Sequence, residues 1–349
     1  MRKQRNLPDF NKPGTLIAGL PAILGFEPEQ SLVLVTLALH QLGAVLRVDL
    51  DDGLPERLAD LAGVVAAGGA DAVVAVVVDA DAAFRPDEAY LPVLADLADA
   101  LADLGVQVVA GVIVDRVAAG GWWRCADGCG RRGRVDDPRL SPLAVAAVVE
   151  GRRFYPRRTD LAATVEITDP DRTAELEPLL ATAAEAAGAE RRTAPQACAR
   201  REVEAAIELA QRLQSGRPLD DDRLVAVGQS LANIAVRDVL YGLAVGELAD
   251  AAEELWETFA RVLPGPWRVE ALGLLAFSAY ARGDGPLAGI ALEAALRANP
   301  VHRMSVMLDS AMRGGLRPED IRSLSRASYR QAAQIGVTLP RQVPDRRAG

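Results

Sequence analysis

The chain is poor in the residue types that most often carry metal and redox chemistry. Its 349 residues include only two histidines, three cysteines and 4% aromatic residues. His40 and His302 lie far apart without neighbouring ligand residues, so we expect both on the surface and no histidine-based triad or metal motif. Three cysteines are too few for a secreted disulfide framework, which favours a reducing cytoplasm.

Long apolar runs are also missing. Runs such as SLVLVTLAL and AVVAVVV fall short of the roughly 20 residues that a membrane-spanning helix needs. Pro8 and Pro13 interrupt the segment where an export signal would have its apolar core. We therefore expect no membrane association and no export signal.

The charge balance disfavours nucleic acid as the main partner. The formal net charge is −9, and all but two of the 39 basic residues are arginine. Together with the abundant alanine, this is typical of a GC-rich coding bias, so the number of arginines alone does not indicate phosphate binding. Half of the residues are apolar, which is enough for a sizeable core.

The first 160 residues alternate strand and helix patterns. SLVLVTLAL and AVLRVDL are separated by a short glycine-containing turn, which predicts an antiparallel hairpin. DAVVAVVVD and VQVVAGVIVD are apolar runs separated by a helical pattern, which is typical of buried parallel strands. The sequence predicts an α/β domain over residues 1–160, with a mostly parallel sheet that includes the antiparallel hairpin.

The pattern becomes entirely helical after this point. Residues 161–335 show helical periods separated by proline and glycine, which predicts an all-α domain that includes an unbroken helix over residues 221–243. Within this domain, residues 272–300 resemble one tetratricopeptide-like helical hairpin, with small residues at Ala279, Ala288 and Ala295. Residues 336–349 are predicted to be a disordered tail.

Three predicted strands end in aspartate: Asp49, Asp79 and Asp115. Ligands of α/β sheets bind beyond the carboxyl ends of parallel strands, so these carboxylates are candidate ligands for Mg²⁺ or for ligand hydroxyls. The alternative is that strand ends turn polar and that aspartate caps the following helix.

The stretch GGWWRCADGCG holds two of the three cysteines, Cys125 and Cys129. A structural zinc site needs four ligands, and no second cysteine pair accompanies these two, so we expect no metal. The CxxxC spacing also differs from the CxxC of thioredoxin-like centres, although a disulfide is allowed. No cofactor is evident.

The same stretch opens a basic and aromatic segment. Residues 116–158 hold ten arginines and four acidic residues, a net charge of +6. The candidate binding residues are Trp122, Trp123, Arg124, Arg152 and Arg153, because arginine beside exposed aromatics suits an anionic small molecule or an acidic partner. In the alternative interpretation, one tryptophan packs under the sheet, the other caps it, and the arginines are solvated.

Four segments together resemble the actinobacterial domain of unknown function 4192 family, over about residues 14–316. They are LPAILGFEPEQSLVLVTL, GGWWRCADGCG with the following SPLAVAAVVEGRRFYPRRTDL, LANIAVRDVLYGLA, and LGLLAFSAYARGDGPLAGIALEAALRANP. The resemblance implies a cytoplasmic protein of a GC-rich actinobacterium. It implies no catalytic residues, because the family has no assigned activity.

We expect a binding or regulatory interaction module with a protein partner. The alternative is an enzyme or a nucleotide- or small-molecule-binding protein that uses the acidic strand ends and the arginine-aromatic segment. The sequence identifies no catalytic residue, and it disfavours nucleic acid and membrane as partners.

Overall fold

The computed structural model describes residues 12–39, 41–149 and 152–343. His40 therefore lies outside the described residues. The described chain divides into two compact units. The first runs to Leu161 and includes Arg313–Gly315, and the second holds the rest.

The first unit contains a six-stranded sheet with the order β2-β1-β3-β4-β5-β6. Only β3 and β4 are parallel neighbours, and the other four pairs are antiparallel, so the sheet is mixed and the predicted mostly parallel sheet is wrong. Its strands are β1 (Ser31–Ala38), β2 (Gln41–Asp49), β3 (Ala72–Val78), β4 (Gln107–Val114), β5 (Trp122–Cys125) and β6 (Arg132–Arg134).

The position of β1 explains why the sheet is mixed and not mostly parallel. The strand–helix–strand pattern correctly sets β2 and β3 running in one direction, because both are antiparallel to β1. However, β1 lies between them, so the two strands share no hydrogen bonds. The strands β5 and β6 were not predicted at all, because they are short and rich in arginine and lack an apolar alternation.

Both faces of the central strands are buried. One face joins Leu32, Leu34 and the alternate residues of β3 to the apolar sides of α2 and α3 in a single core. Residues of opposite parity, such as Val33, Val76 and Val112, are equally buried on the other face. The continuous valine runs follow from this double burial.

Fourteen α-helices lie within the described residues. They are α1 (Pro13–Leu24), α2 (Leu54–Ala67), α3 (Leu91–Ala102), α4 (Pro142–Val149), α5 (Arg158–Ala163), α6 (Pro170–Thr193), α7 (Pro195–Gln214), α8 (Asp221–Gly228), α9 (Ile234–Leu240), α10 (Ala249–Val262), α11 (Gly265–Arg282), α12 (Gly285–Ala298), α13 (Arg303–Arg313) and α14 (Pro318–Gln334). From α6 onward they form a region that contains no named strand among the residues that the structure describes.

The long helix predicted over residues 221–243 is interrupted. Asn233 adopts an extended conformation, and its side chain accepts a hydrogen bond from the Ala235 amide, so it ends a 3-10 turn and caps α9. The sequence does not reveal this interruption, because Asn233 lies within an apolar period that predicts a continuing helix.

The predicted helical hairpin is formed by α11 and α12, which pack against each other. Ala279, Ala288 and Ala295 are fully buried, which lets the two helices approach closely. Asp284 caps α12 by accepting a hydrogen bond from the Leu287 amide.

The predicted disorder from residue 336 is wrong for residues 336–343. Val337 and Leu339 are buried, and the Val343 amide donates to the Val245 carbonyl. Residues 338–341 line a groove of about 570 Å³ together with Ile207, Gln211 and Gln214 of α7. Residues 344–349 lie outside the described part of the chain.

Within the described ranges, no helix combines the length and the apolar character needed to cross a membrane.

Candidate functional site

The three strand-end aspartates lie at one edge of the sheet. Ser31 of β1 pairs with both Asp49 and Val78, and Val78 pairs with Val114. The carboxyl ends of β2, β3 and β4 therefore meet at the same edge, as the candidate ligand site requires. The side chains, however, are used in different ways.

The carboxylate of Asp79 is buried and hydrogen-bonded within the protein. Its side chain is 1% exposed, and it accepts hydrogen bonds from the Asp81 amide at 2.9 Å and from the Tyr90 hydroxyl at 2.8 Å. Burial raises the pKa of Tyr90, and the hydrogen bond to Asp79 raises it further. Asp79 therefore acts as the cap of the following 3-10 turn, as the alternative interpretation expected.

Asp115 and Asp49 are also engaged, each with a different partner. Asp115 accepts from the Trp122 amide at 2.7 Å and pairs with Arg116 at 2.9 Å, so it fixes the turn from β4 into β5. Asp49 is exposed and pairs with Arg47 at 2.7 Å. Asp49, Asp79 and Asp115 do not form a group of ligand atoms close enough for one metal ion, within the residues that the structure describes.

The predicted binding tryptophans lie on opposite faces of the β5–β6 hairpin. Trp123 is 9% exposed, and its indole nitrogen donates to the Arg134 carbonyl at 3.1 Å. Its ring covers Gly133, where an added Cβ would lie 2.9 Å from the ring. Only glycine fits under Trp123 without displacement.

The other face of the hairpin carries Trp122, Arg124, Arg132 and Arg134, and we call it the arginine face. Strand register places Arg134 opposite Trp122 and Arg132 opposite Arg124. Trp122 is 47% exposed, and the guanidinium of Arg134 lies 4.1 Å from its ring centroid. The arginine face thus combines a cation–π pair with additional positive charge.

Arg124 braces the arginine face against the neighbouring loop. Its two terminal nitrogens donate to the Ala82 carbonyl at 2.6 Å and to the Arg85 carbonyl at 3.0 Å. Arg124 thereby ties β5 to the 3-10 turn that Asp79 caps. We assign it a positioning role, because its nitrogens are directed at backbone oxygens.

Arg152 and Arg153 belong to a different part of the first unit. Arg152 is half-buried and donates to the Ala22 carbonyl of α1 at 3.3 Å, while Arg153 is exposed. They follow α4 in the chain and are not members of the hairpin. The structure therefore brings together Trp122, Arg124, Arg132 and Arg134, of which the last two were not among the predicted site residues.

The tip of the hairpin brings three metal-type ligands together. The side-chain ligand atoms of Cys125, Asp127 and Cys129 lie within 4.8 Å of one another. Burial and the adjacent Cys129 thiol raise the pKa of Cys125 to about 11, whereas hydrogen bonds from Cys129 lower the pKa of Asp127. Asp127 was not among the predicted ligands, because cysteine and histidine spacing alone does not reveal it.

His302 is buried rather than exposed, so its predicted surface position is wrong. It precedes α13, with its Nδ1 2.7 Å from the Ser305 hydroxyl and its Nε2 3.2 Å from Glu270. Glu270 also accepts from Arg237 at 3.1 Å. Both ring nitrogens of His302 therefore have hydrogen-bond partners inside the helical unit, which explains how this histidine can be buried.

The family comparison covers most of the chain. A family model described as "Domain of unknown function (DUF4192)" matches residues 13–319, a span that includes the sheet, the hairpin and the helices as far as the start of α14. No curated protein and no solved structure matches the chain. On this match, the chain belongs to the domain of unknown function 4192 family.

Proposed function

We propose that this protein is a binding module whose arginine face recognises an acidic segment of a protein partner. One observation carries the proposal: the exposed Trp122 lies beside two arginines, Arg132 and Arg134, whose side chains pair with no carboxylate of the described residues. The side chain of Arg132 makes no hydrogen bond or ion pair with another described residue. Within the same part of the chain, the guanidinium of Arg134 donates only to the Gly120 carbonyl and lies over the Trp122 ring. These arginines are available to pair with carboxylates.

The shape of the surface favours a protein segment over a small molecule. Small ligands bind in concave pockets that enclose most of their surface, whereas the arginine face is one side of a two-stranded hairpin. The net charge of −9 weakens the attraction of the whole chain for a nucleic acid. An acidic protein segment needs only local positive charge and an aromatic contact.

The carboxylates give less support to an enzyme. Asp79 is buried and hydrogen-bonded, and Asp115 fixes a turn, so neither is poised as a general base. The small number of cysteines supports placing the binding module in the reducing cytoplasm.

Titration with poly-L-glutamate tests the proposal, with the fluorescence of Trp122 as the readout. The other tryptophans, Trp123, Trp256 and Trp267, are at most 9% exposed, so a change on binding reports mainly on Trp122. We expect saturable binding that weakens as salt is raised. Arg132→Gln should weaken it roughly three- to fivefold, which is the effect of one exposed ion pair.

Arg326→Gln is the matched control, because it removes an equal charge from an exposed position on α14. If both variants lose affinity equally, only net charge is being measured and the arginine face is not the site. ATP and a single-stranded oligonucleotide are titrated in parallel. Tighter binding of either one than of poly-L-glutamate would overturn the assignment of an acidic protein segment.

A further inference from the structure

The loop between β5 and β6 holds its two cysteines in a fixed relation. Asp127 accepts a hydrogen bond from the Cys129 amide at 3.0 Å, and the Cys125 amide donates to the Arg131 carbonyl at 2.9 Å. Gly128 and Gly130 have φ values of +71° and +78°, a conformation that favours glycine. The backbone thus turns tightly enough to bring both thiols to the same end of the hairpin.

The resulting group has suitable dimensions for a metal ion. Zinc binds thiolate sulfur at about 2.3 Å and carboxylate oxygen at about 2.0–2.2 Å. Ligand atoms of one tetrahedral site are therefore roughly 3.5–3.8 Å apart. The three ligand atoms here already lie within 4.8 Å of one another, and Asp127 and Cys129 are exposed, so small side-chain rotations close the difference.

We propose that Cys125, Asp127 and Cys129 form a binding site for a thiophilic divalent ion of the zinc class. Two thiolates select such ions over Mg²⁺ and Ca²⁺, which prefer all-oxygen ligands. Asp127 supplies the ligand that the cysteine count lacked. The site is independent of the arginine face, since none of its ligands belongs to that surface.

Three protein ligands leave one tetrahedral position for water or an external donor. A closed structural site has four protein ligands, so the hairpin tip has the composition of an open site. The exposure of Asp127 and Cys129 gives solvent access to the ion. We therefore assign to the tip an exchangeable ion rather than one buried during folding.

Titration of the reduced full-length chain with Co²⁺ tests this site. Cobalt replaces zinc in tetrahedral sites, and its coordination by thiolate produces a charge-transfer absorption band. We expect one Co²⁺ per chain and displacement of the band by stoichiometric Zn²⁺. Cys129→Ser should weaken Co²⁺ binding by roughly 100-fold or more, because even residues outside the coordination shell change affinity 10–100-fold.

Two further variants separate the site from other causes. Asp127→Asn keeps an acceptor for the Cys129 amide and removes the anionic ligand, so affinity should fall roughly 10-fold or more while the fold is kept. Cys198→Ser removes the buried cysteine of α7 and should leave the band unchanged.

The absence of a charge-transfer band in the reduced wild type would overturn the proposal. A band that survives Cys129→Ser, or that is lost in Cys198→Ser, would do the same. Counting free thiols before and after the titration decides whether a Cys125–Cys129 disulfide has formed. A chain that stays fully reduced and still binds no Co²⁺ has no metal site at the tip.

Discussion

The carboxyl edge of the sheet and the arginine face of the hairpin are both rich in charged groups. They differ in how many of these groups already have a hydrogen-bond or ion-pair partner within the protein. At the edge, Asp79 and Asp115 bond to backbone amides and to neighbouring side chains. On the hairpin, the side chain of Arg132 has no hydrogen-bond or ion-pair partner among the described residues, and Trp122 is half exposed. Charges that already stabilise the fold are unavailable to a ligand. The number of charged residues in a segment therefore indicates less about binding than their remaining hydrogen-bonding capacity.

The largest expected effect separates the two tryptophans of the hairpin. Trp123→Ala should lower the free energy of unfolding of the first unit by about 3–5 kcal/mol, because it removes a buried ring that covers Gly133. Trp122→Ala, its matched control, should cost about 1 kcal/mol or less. Urea denaturation followed by circular dichroism measures both. Equal losses would show that both faces of the hairpin are structural.

A smaller effect is expected at the carboxyl edge. Asp79→Ala should destabilise the protein by about 2–3 kcal/mol, because the variant leaves the Tyr90 hydroxyl buried without an acceptor and removes the cap of the 3-10 turn. Asp49→Ala, at the exposed end of β2, should change stability by at most about 0.5 kcal/mol. A neutral Asp79→Ala would mean that this carboxylate is free for ligand binding after all.

The contact between Trp123 and Gly133 provides the third test. Gly133→Ala should cost about 1–3 kcal/mol, since the new methyl group would overlap the ring. Gly63→Ala on α2 places a methyl group in open space and should stabilise the helix by up to about 1 kcal/mol. Thermal unfolding compares the two variants. A tolerated alanine at 133 would place the Trp123 ring elsewhere.

The last test concerns the hairpin tip, where we expect a difference in thiol reactivity between the two cysteines and the smallest effect on the fold. With its pKa raised to about 11, roughly 0.1% of Cys125 is thiolate at pH 8 in the reduced, metal-free protein. Iodoacetamide should therefore modify the exposed Cys129 first. In Cys129→Ser, burial still raises the pKa of Cys125 although the neighbouring thiol no longer does, so the Cys125 rate should keep rising with pH above 9. Mass spectrometry of the modified peptides measures both rates. A Cys125 rate that levels off below pH 9 would contradict the raised pKa.

The sequence predicted the individual strands and helices better than it predicted which strands lie next to each other in the sheet. The valine-rich strands, the β1–β2 hairpin and the helical hairpin of α11 and α12 follow from periodicity and turn residues. The position of β1 between β2 and β3 depends on which edges meet in three dimensions, and no local pattern encodes it. The mixed sheet was missed for that reason.

The candidate site was predicted in part. Trp122 and Arg124 were identified from the concentration of aromatic and basic residues, but Arg132 and Arg134 join them only through the strand register of β5 and β6. Asp127 became a third ligand only through the tight loop that folds it back toward Cys129. The direction of a side chain depends on its position in a strand and on the conformation of the turn. The sequence did not predict β5 and β6, so it could not predict which of their side chains lie on the same face.

The strand order also bears on how the sheet is assembled during synthesis. Each pair of neighbouring strands comes from segments that are one or two strands apart in the chain. When each strand from β2 onward leaves the ribosome, a strand with which it pairs has therefore already been synthesised. No pairing depends on a segment far along the chain. The last strands added are those of the β5–β6 hairpin. The strands that carry the arginine face are therefore made last, when those of the apolar centre of the sheet have already been synthesised.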